Sequence, residues 1–419
     1  MAGVAAPGGR ARAGHGVAVG DTALAADWVQ ALLDERLRAG ADFFGRESPR
    51  LAGVCHRMAE RFARGGRLIA CGRSPAARSD ARHVAVEFVH PVIVGKRALP
   101  ALALCAEGGT LDGQVGLLAR PEDIVLGFGV DEPDGAEAVR ALALARERGC
   151  MTLAFGVAGG AEDVFVVGSE DPSVRQELVE TLYHVLWELV HVFFDHRGLL
   201  RGRDARPVHD AGASSFLYPF LDERETELES VLADVARSVV MKSAETGELR
   251  TQTLGENSAV LRAAAGALRA CFDAGGTLLA LGNGGSATDA MDAVADFRAG
   301  VGGWTPRAAI DLTEDSGILT AIANDIGVEA IFLRQVIAYG GAGDALLALS
   351  TSGNSANVIA ALEQGRRRGL VTVAMVGYDG GAIAADALAD HVIITRSEHI
   401  PRIQEAQASA YHVLRELVG

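Results

Sequence analysis

The chain repeats itself, and this repeat constrains its fold more than any other feature. Segment 65–72, GGRLIACG, resembles segment 275–282, GGTLLALG, and segments 122–129 and 146–156 resemble segments 343–350 and 366–376. Near the two ends, RQELVETLYHVLWELV at 175–190 matches IQEAQASAYHVLRELV at 403–418. The offset drifts from 210 residues at the first pair to 228 at the last, and the order never changes. We infer a tandem duplication that gives two similar units.

Each copy alternates short β-rich runs with helical patterns, which predicts an α/β fold with a parallel sheet flanked by helices. We expect two three-layer αβα domains, each a doubly wound, flavodoxin-like sheet. In the second copy the predicted strands are near 277–281, 307–311, 345–349, 371–375 and 391–394. The predicted helices there are 286–298, 315–324, 328–339, 355–368 and 402–418. The predicted organisation is a disordered arm at 1–22, a first domain at 23–195, a linker at 196–221, and a second domain at 222–419 that opens with a long helix over roughly 222–246.

Composition excludes several classes of partner. About half of the 419 residues are apolar, which is enough for two cores. A net charge of −15 argues against nucleic acid, whose phosphates require clustered Lys and Arg. No run approaches the roughly 20 apolar residues of a membrane span, and the arm lacks the apolar core of a signal peptide. Five scattered cysteines without a C-x-x-C pair are typical of a reduced protein, so we expect a cytoplasmic location.

Two loops of the second copy are suited to phosphate. GNGGS at 282–286 and STSGNS at 350–355 each follow a predicted strand and open a predicted helix. Backbone N–H groups at a helix N-terminus and nearby hydroxyls bind a phosphoryl group. Either loop alone could be an ordinary turn with a serine cap, but two at one sheet edge favour phosphate. A dinucleotide site is the lower-ranked alternative, because GNGGSA fits G-x-G-x-x-A and Asp311 ends the next strand; a Walker A loop is excluded.

The segments GNGGSATDA, AIANDIG, STSGNSANVIAAL and RIQEAQASAYHV occur in the order and spacing of the sugar isomerase (SIS) superfamily. Within it the second copy resembles the phosphoheptose isomerases, which convert sedoheptulose 7-phosphate to a heptose 7-phosphate. Aminosugar isomerases also carry tandem SIS copies, but usually have Gly-Glu where this chain has Gly353-Asn354. The resemblance implies SIS-type domains, no nucleotide cofactor, and these substrate-binding residues: Asn283, Gly284, Ser286, Asp325, Ser350, Thr351, Ser352, Ser355 and Gln404.

Aldose–ketose isomerisation proceeds through an enediol and needs a base to shuttle a proton and a partner for the hydroxyl proton. Family members use a Glu on the helix after the first loop and a His on the final helix. Some bind zinc through a His four residues before that Glu, the Glu, a Gln and the final His. In the second copy Gln404 and His412 match, but Asp292 and Asp296 replace the first His and the Glu. The shorter Asp296 withdraws its carboxylate by about 1.5 Å.

The first copy shows the opposite pattern. DARHVAVEF at 80–88 aligns with DAMDAVADF at 289–297 and keeps His83 and Glu87, four residues apart on one helix face. Gln176 and His184 complete the family set. The loops, however, are replaced by GRSPAARS at 72–79 and the acidic GFGVDEP at 127–133, which would repel phosphate. Arginines at 73, 78 and 82 could bind an anion, although pairing with nearby acids is the favoured interpretation.

Two hypotheses follow. In a composite site, the first copy supplies the base Glu87, its partner His184 and a zinc site of His83, Glu87, Gln176 and His184, while the second copy holds the phosphate. In a decayed first copy, Asp296 and His412 would do the chemistry. We favour the composite site and predict a sugar-phosphate isomerase, with a non-catalytic sugar-phosphate-binding regulator or scaffold as the alternative. The resemblance also implies tetramers whose sites lie at subunit interfaces. We therefore expect a homodimer of this chain that forms a pseudo-tetramer of SIS domains.

Overall fold

The first copy folds into one parallel sheet wrapped by helices. The computed structural model describes residues 22–92, 96–157, 159–195, 227–300 and 304–419. Five strands of the first copy pair in the order β2-β1-β3-β4-β5, all parallel. The elements are α1 Thr22–Ala63, β1 Leu68–Cys71, α2 Pro75–Val89, β2 Ala101–Leu104, α3 Leu111–Leu118, β3 Ile124–Gly127, α4 Ala136–Glu147, β4 Met151–Phe155, β5 Asp163–Phe165 and α5 Pro172–Asp195.

The second copy repeats this topology, with strands in the order β10-β9-β8-β6-β7, again all parallel. A short 3₁₀ turn, Val328–Ala330, precedes its fifth helix. The elements are α6 Leu228–Glu256, α7 Ser258–Asp273, β6 Leu278–Leu281, α8 Gly285–Arg298, β7 Ala309–Asp311, α9 Ser316–Asp325, α10 Ile331–Tyr339, β8 Ala345–Ser350, α11 Ala356–Arg367, β9 Val371–Gly377, α12 Gly381–Ala385, β10 His391–Thr395 and α13 Ile400–Val418.

Each sheet has an apolar cluster on both faces, as a three-layer αβα domain requires. In β6 the side chains of Leu278 and Ala280 join one cluster, and those of Leu279 and Leu281 join the other. This alternation is the two-residue period of a strand buried on both faces. Two parallel, helix-flanked sheets confirm the predicted fold class.

The five strands predicted for the second copy all agree with the structure within about two residues. The long helix predicted at 222–246 runs instead to Glu256, and a further helix, α7, follows it without having been predicted. Residues 1–21 of the arm and the whole predicted linker, 196–221, lie outside the described residues. The domain boundaries therefore stay predictions.

The first helix of each copy packs against the other copy. Val231, Val235 and Val239 of α6 belong to the apolar core of the first copy, and Leu33 of α1 belongs to a core of the second. Lys242 of α6 also forms an ion pair of 2.6 Å with Glu188 of α5. The two copies are therefore joined by interlocked helices, which places α2 and α5 of one beside α8 and α13 of the other.

No helix in the described part of the chain has both the length and the apolar composition that crossing a bilayer requires.

Candidate functional site between the two copies

The two glycine and hydroxyl loops of the second copy lie side by side. β6 and β8 are neighbours in the sheet, so GNGGS and STSGNS leave the same carboxyl edge at the point where the strand order reverses. The loops are tied together by Asn283 and Asn357, whose amides donate to each other at 3.0 and 2.9 Å. Positive φ angles of 58° at Gly284 and 64° at Gly353 explain the glycines at these turns.

The hydroxyls of the second loop line the same turn. Ser350 Oγ accepts from the Gly353 N–H at 3.2 Å, and Ser352 Oγ accepts from the Asn354 N–H at the same distance. Ser355 stands at the N-cap of α11, and Gly285 and Ser286 begin α8. The first N–H groups of these two helices have no partner within the helix, so they can receive an anion together with the hydroxyls.

The first copy reaches this loop directly. A Cβ built on Gly285 would overlap the amide nitrogen of Gln404 and lie 2.7 Å from Nε2 of His83. Only a glycine allows the α8 N-terminus to approach so closely. His83 comes from α2 of the first copy, so an imidazole of one copy touches the phosphate-type loop of the other within the same chain.

Around His83 four side chains converge in the arrangement of a metal site. Nε2 of His83 lies 3.3 Å from Nε2 of His184, 3.3 Å from the amide of Gln404 and 3.9 Å from Oε1 of Glu87. Two nitrogens bound tetrahedrally to zinc at about 2.0–2.1 Å would be about 3.4 Å apart. Both carboxylate oxygens of Glu87 and the amide oxygen of Gln404 are buried without a hydrogen-bond partner. A zinc ion would satisfy these atoms, so the residues fit the metal that the resemblance implies.

The structure places a different glutamine beside His83 from the one in the predicted ligand set, which stays untested. Gln176 donates to Asp80 at 3.3 Å, and the glutamine that contacts His83 is Gln404 of the second copy. The two copies cross at α5 and α13, so Gln404, on the final helix of the second copy, reaches the histidine of the first. The family pattern in sequence does not reveal this crossing.

Carboxylates of the second copy orient both histidines, and the sequence analysis missed them in this role. Nδ1 of His184 lies 3.0 Å from Oε1 of Glu405, and Nδ1 of His83 lies 3.4 Å from Oδ1 of Asp289. A metal-binding imidazole commonly donates its other N–H to a carboxylate, which fixes the ring and its tautomer. A signal was available, because a Glu directly follows the aligned Gln in both copies, at Glu177 and Glu405.

Burial sets the protonation of the site. It raises the pKa of Glu87 to about 7; His184 opposes this shift, and Glu188 and Asp289 add to it. Burial also lowers the pKa of His83 to about 3, against the attraction of Asp292 and Glu405. His83 is therefore a neutral imidazole at neutral pH, the form that binds metal. Glu87 has the pKa of a general base that works near neutrality.

The counterpart cluster in the second copy is an ion-pair network. His412 places Nδ1 2.9 Å from Glu177 and Nε2 3.2 Å from Asp296 and 3.5 Å from Asp292. Burial alone would lower the pKa of His412, but hydrogen bonds to these three carboxylates hold it well above its ordinary value. A protonated His412 thus occupies the centre of this cluster, and Ser79, from the segment 72–79 of the first copy, donates to Asp292 at 3.2 Å.

The loop region of the first copy has become a set of exposed ion pairs. Arg73 contacts Glu137 at 3.3 Å, Arg78 contacts Glu314 at 3.0 Å, and Arg82 Nη2 contacts Glu107 at 2.7 Å. These contacts agree with the favoured interpretation of the arginines as partners of nearby acids. Such pairs contribute little to stability.

Asp325 ends α9, is exposed, and accepts from Nδ2 of its neighbour Asn324 at 2.8 Å. None of the residues of α9 is buried, although half of the helix is apolar. The role of Asp325 in binding a sugar stays a prediction.

With metal removed by EDTA, the free energy of unfolding should fall as the pH rises from 6.5 to 8.5. Burial raises the pKa values of Asp80, Glu180 and Asp289 well above their ordinary range. Between its ordinary pKa and its raised folded pKa each of these groups holds more proton in the folded chain than in the unfolded one, so the free energy of unfolding falls as the pH rises through that range. The folded pKa of His83 is lowered, so His83 makes the free energy of unfolding increase as the pH rises, but only below about pH 6.5.

Urea unfolding at pH 6.5, 7.5 and 8.5 in EDTA measures this dependence. A free energy of unfolding that is constant or rises over the window would mean that these carboxyls are ionised and compensated in the folded state.

The chain is similar to known proteins of one family. The SIS domain family model matches residues 243–377. Phosphoheptose isomerase of Chlorobium phaeobacteroides is 42% identical over 202 residues, which are 47% of this chain and 85% of that protein. The enzyme of the same name from Geobacter sp. is 44% identical over 175 residues, covering 41% of this chain and 88% of its own length.

Among solved structures, the tagatose-6-phosphate ketose/aldose isomerase of Escherichia coli is similar over 95% of this chain and 93% of its own. The TM-score is 0.55 at 14% identity, which shows that the two folds are alike over both copies. The chain belongs to the SIS (sugar isomerase) family, and its second copy is of the phosphoheptose isomerase type.

Proposed function

We propose that this chain is a sugar-phosphate aldose–ketose isomerase that interconverts sedoheptulose 7-phosphate and a heptose 7-phosphate in one site built from both copies. The observation that carries this proposal is the contact of His83 with Gly285, because it joins the base-bearing helix of one copy to the phosphate-type loop of the other. The curated relatives named phosphoheptose isomerase supply the substrate class.

The distribution of losses supports the same conclusion. A duplicated chain with sites between its copies would have two pseudo-symmetric sites. One combines the loops of the second copy with His83, Glu87 and His184, and every part of it is retained. The other would combine the replaced loops of the first copy with Asp292 and Asp296. Loss of both halves of one site, with retention of both halves of the other, follows from selection on a single site.

In the proposed reaction, the loops GNGGS and STSGNS hold the phosphate and so fix the sugar chain along the axis from α8 towards His83. Glu87 takes a proton from the carbon beside the carbonyl and returns it to the neighbouring carbon, and His184 moves the hydroxyl proton. Glu405 holds His184 in one tautomer for this transfer. His83, Glu87, His184 and Gln404 would hold a zinc ion, which would supply Lewis-acid polarisation of the carbonyl and stabilise the enediolate.

The end of helix α9 supports the expected homodimer. Ile326 and Val328, which follow α9 and are 59% and 60% exposed, are an apolar surface that a second chain would cover. We propose that Asp325 reaches a sugar only across this contact. A pair of chains would then have four SIS domains.

The test is direct incubation of the zinc-loaded chain with sedoheptulose 7-phosphate, followed by NMR. We expect new anomeric proton signals of an aldose 7-phosphate and exchange of solvent deuterium into the substrate. Binding of the sugar phosphate without any exchange or product would instead indicate a regulatory protein. Enhanced fluorescence of a reduced nicotinamide cofactor would indicate a dinucleotide site.

A further inference from the structure

Most buried acids between the copies have cationic partners. Glu177 contacts Arg36 at 2.8 Å, Glu188 contacts Lys242 at 2.6 Å, and Glu405 contacts Arg402 at 3.0 Å. Such pairing is the usual condition for an ionised group in a protein interior.

Glu180 of α5 has no such partner among the described residues. Its side chain is 0% exposed, and neither carboxylate oxygen has a hydrogen-bond partner. The carboxyls of Asp289, Glu405, Asp80 and Asp292 all act on it and raise its pKa, and the Arg250 guanidinium interacts with it by charge but forms no hydrogen bond or ion pair with it among the described residues. In the alignment of the copies the position of Glu180 is Ala408, so this acid belongs to the first copy alone.

Glu180 also lies beside the metal-type cluster without being part of it. One oxygen of Glu180, one oxygen of Asp289 and a ring nitrogen of His83 all lie within 4.8 Å of one another. Nδ1 of His83 faces Asp289 at 3.4 Å, whereas Nε2 faces His184 and Gln404. Oδ2 of Asp289 is buried and has no hydrogen-bond partner either. The imidazole of His83 therefore presents its two edges to two different groups of ligands.

We propose that Glu180, Asp289 and Nδ1 of His83 bind a second divalent transition-metal ion, which displaces the Nδ1 proton of His83 to solvent, so that the His83 imidazolate bridges it to the zinc site of the proposed function. One nitrogen and two carboxylates suit Zn²⁺, Mn²⁺ or Fe²⁺ better than Mg²⁺, which keeps a shell of water. The ion would contact the buried oxygens of Glu180 and Asp289 that have no hydrogen-bond partner among the described residues. It would also connect α2 and α5 of the first copy to α8 of the second.

The experiment counts bound metal. The full chain is stripped with a chelator, reloaded with Zn²⁺, dialysed against metal-free buffer and analysed by inductively coupled plasma mass spectrometry. We expect Glu180→Gln to bind one equivalent per chain fewer than the unmodified protein. Asp296→Asn is the matched control, because Asp296 belongs to a separate group with Asp292 and His412. We expect this variant to bind one equivalent of zinc more than Glu180→Gln. An unchanged zinc content in Glu180→Gln overturns the proposal.

A second variant guards against an effect of misfolding. Glu180→Met removes the charge at similar volume, and in chelated protein both replacements should leave the thermal midpoint unchanged or higher, because an uncompensated buried acid is gone. Titration with Mn²⁺ alone, followed by its paramagnetic resonance signal, should give one tight site fewer in both variants. Equal Mn²⁺ stoichiometry in all three proteins contradicts the second site, whatever the isomerase assay shows. Failure of isomerisation with the metal difference intact would instead contradict only the proposed function.

Discussion

Replacing Glu87 with Gln should reduce kcat for sedoheptulose 7-phosphate by about a hundredfold to ten-thousandfold, the usual contribution of a general base. Glutamine has nearly the same shape, so the α2 helix and its packing stay intact. What disappears is a carboxylate whose pKa burial raises to about 7 and whose two oxygens have no hydrogen-bond partner. KM should change little, because the phosphate loops lie in the other copy. Steady-state kinetics by NMR or a coupled assay measures both constants.

The matched control is Asp296→Asn in the second copy. Asp296 occupies the aligned position but lies 3.2 Å from a protonated His412, in a network that holds that imidazole in place. We expect less than a fivefold change in kcat and some loss of stability. If Asp296→Asn abolishes turnover while Glu87→Gln does not, the second copy is a complete isomerase and the first copy is a scaffold.

The strands and loops could be predicted because each depends on local sequence. The apolar runs at 278–281 and 345–350 end at glycine and serine, and both the strand and the turn follow from these few residues. Complementary losses in the two aligned copies also predict that the parts of one site come from both, and this composite site stays a prediction. These inferences need only spacing along the chain.

The ligand set required knowledge of how the copies cross. Gln176 and Gln404 are equivalent in the alignment, and nothing local distinguishes the one that contacts His83. The choice depends on α5 and α13 packing against each other, which in turn depends on α1 and α6 being exchanged between the cores. The role of Glu405 was missed for the same reason, since its partner His184 is 221 residues away in sequence. Contacts of this kind are set by tertiary packing, which overrides local pattern.

Replacing Gly285 with Ala should reduce kcat by about a hundredfold and weaken zinc binding, although the residue belongs to neither the base nor the metal ligands. Gly285 does not have a positive φ, so alanine suits its backbone at the start of α8. The added methyl would overlap the Gln404 amide and lie 2.7 Å from Nε2 of His83, and both side chains must move.

Gly266→Ala in α7 is the control, because a Cβ there meets no atom within 4 Å. It should be neutral or stabilise the protein by about 0.5–1 kcal/mol. Zinc competition with a chromogenic chelator and kinetics on both variants measure the effect. Normal zinc affinity in Gly285→Ala would show that the two copies do not meet at this loop, and the composite site would then be wrong.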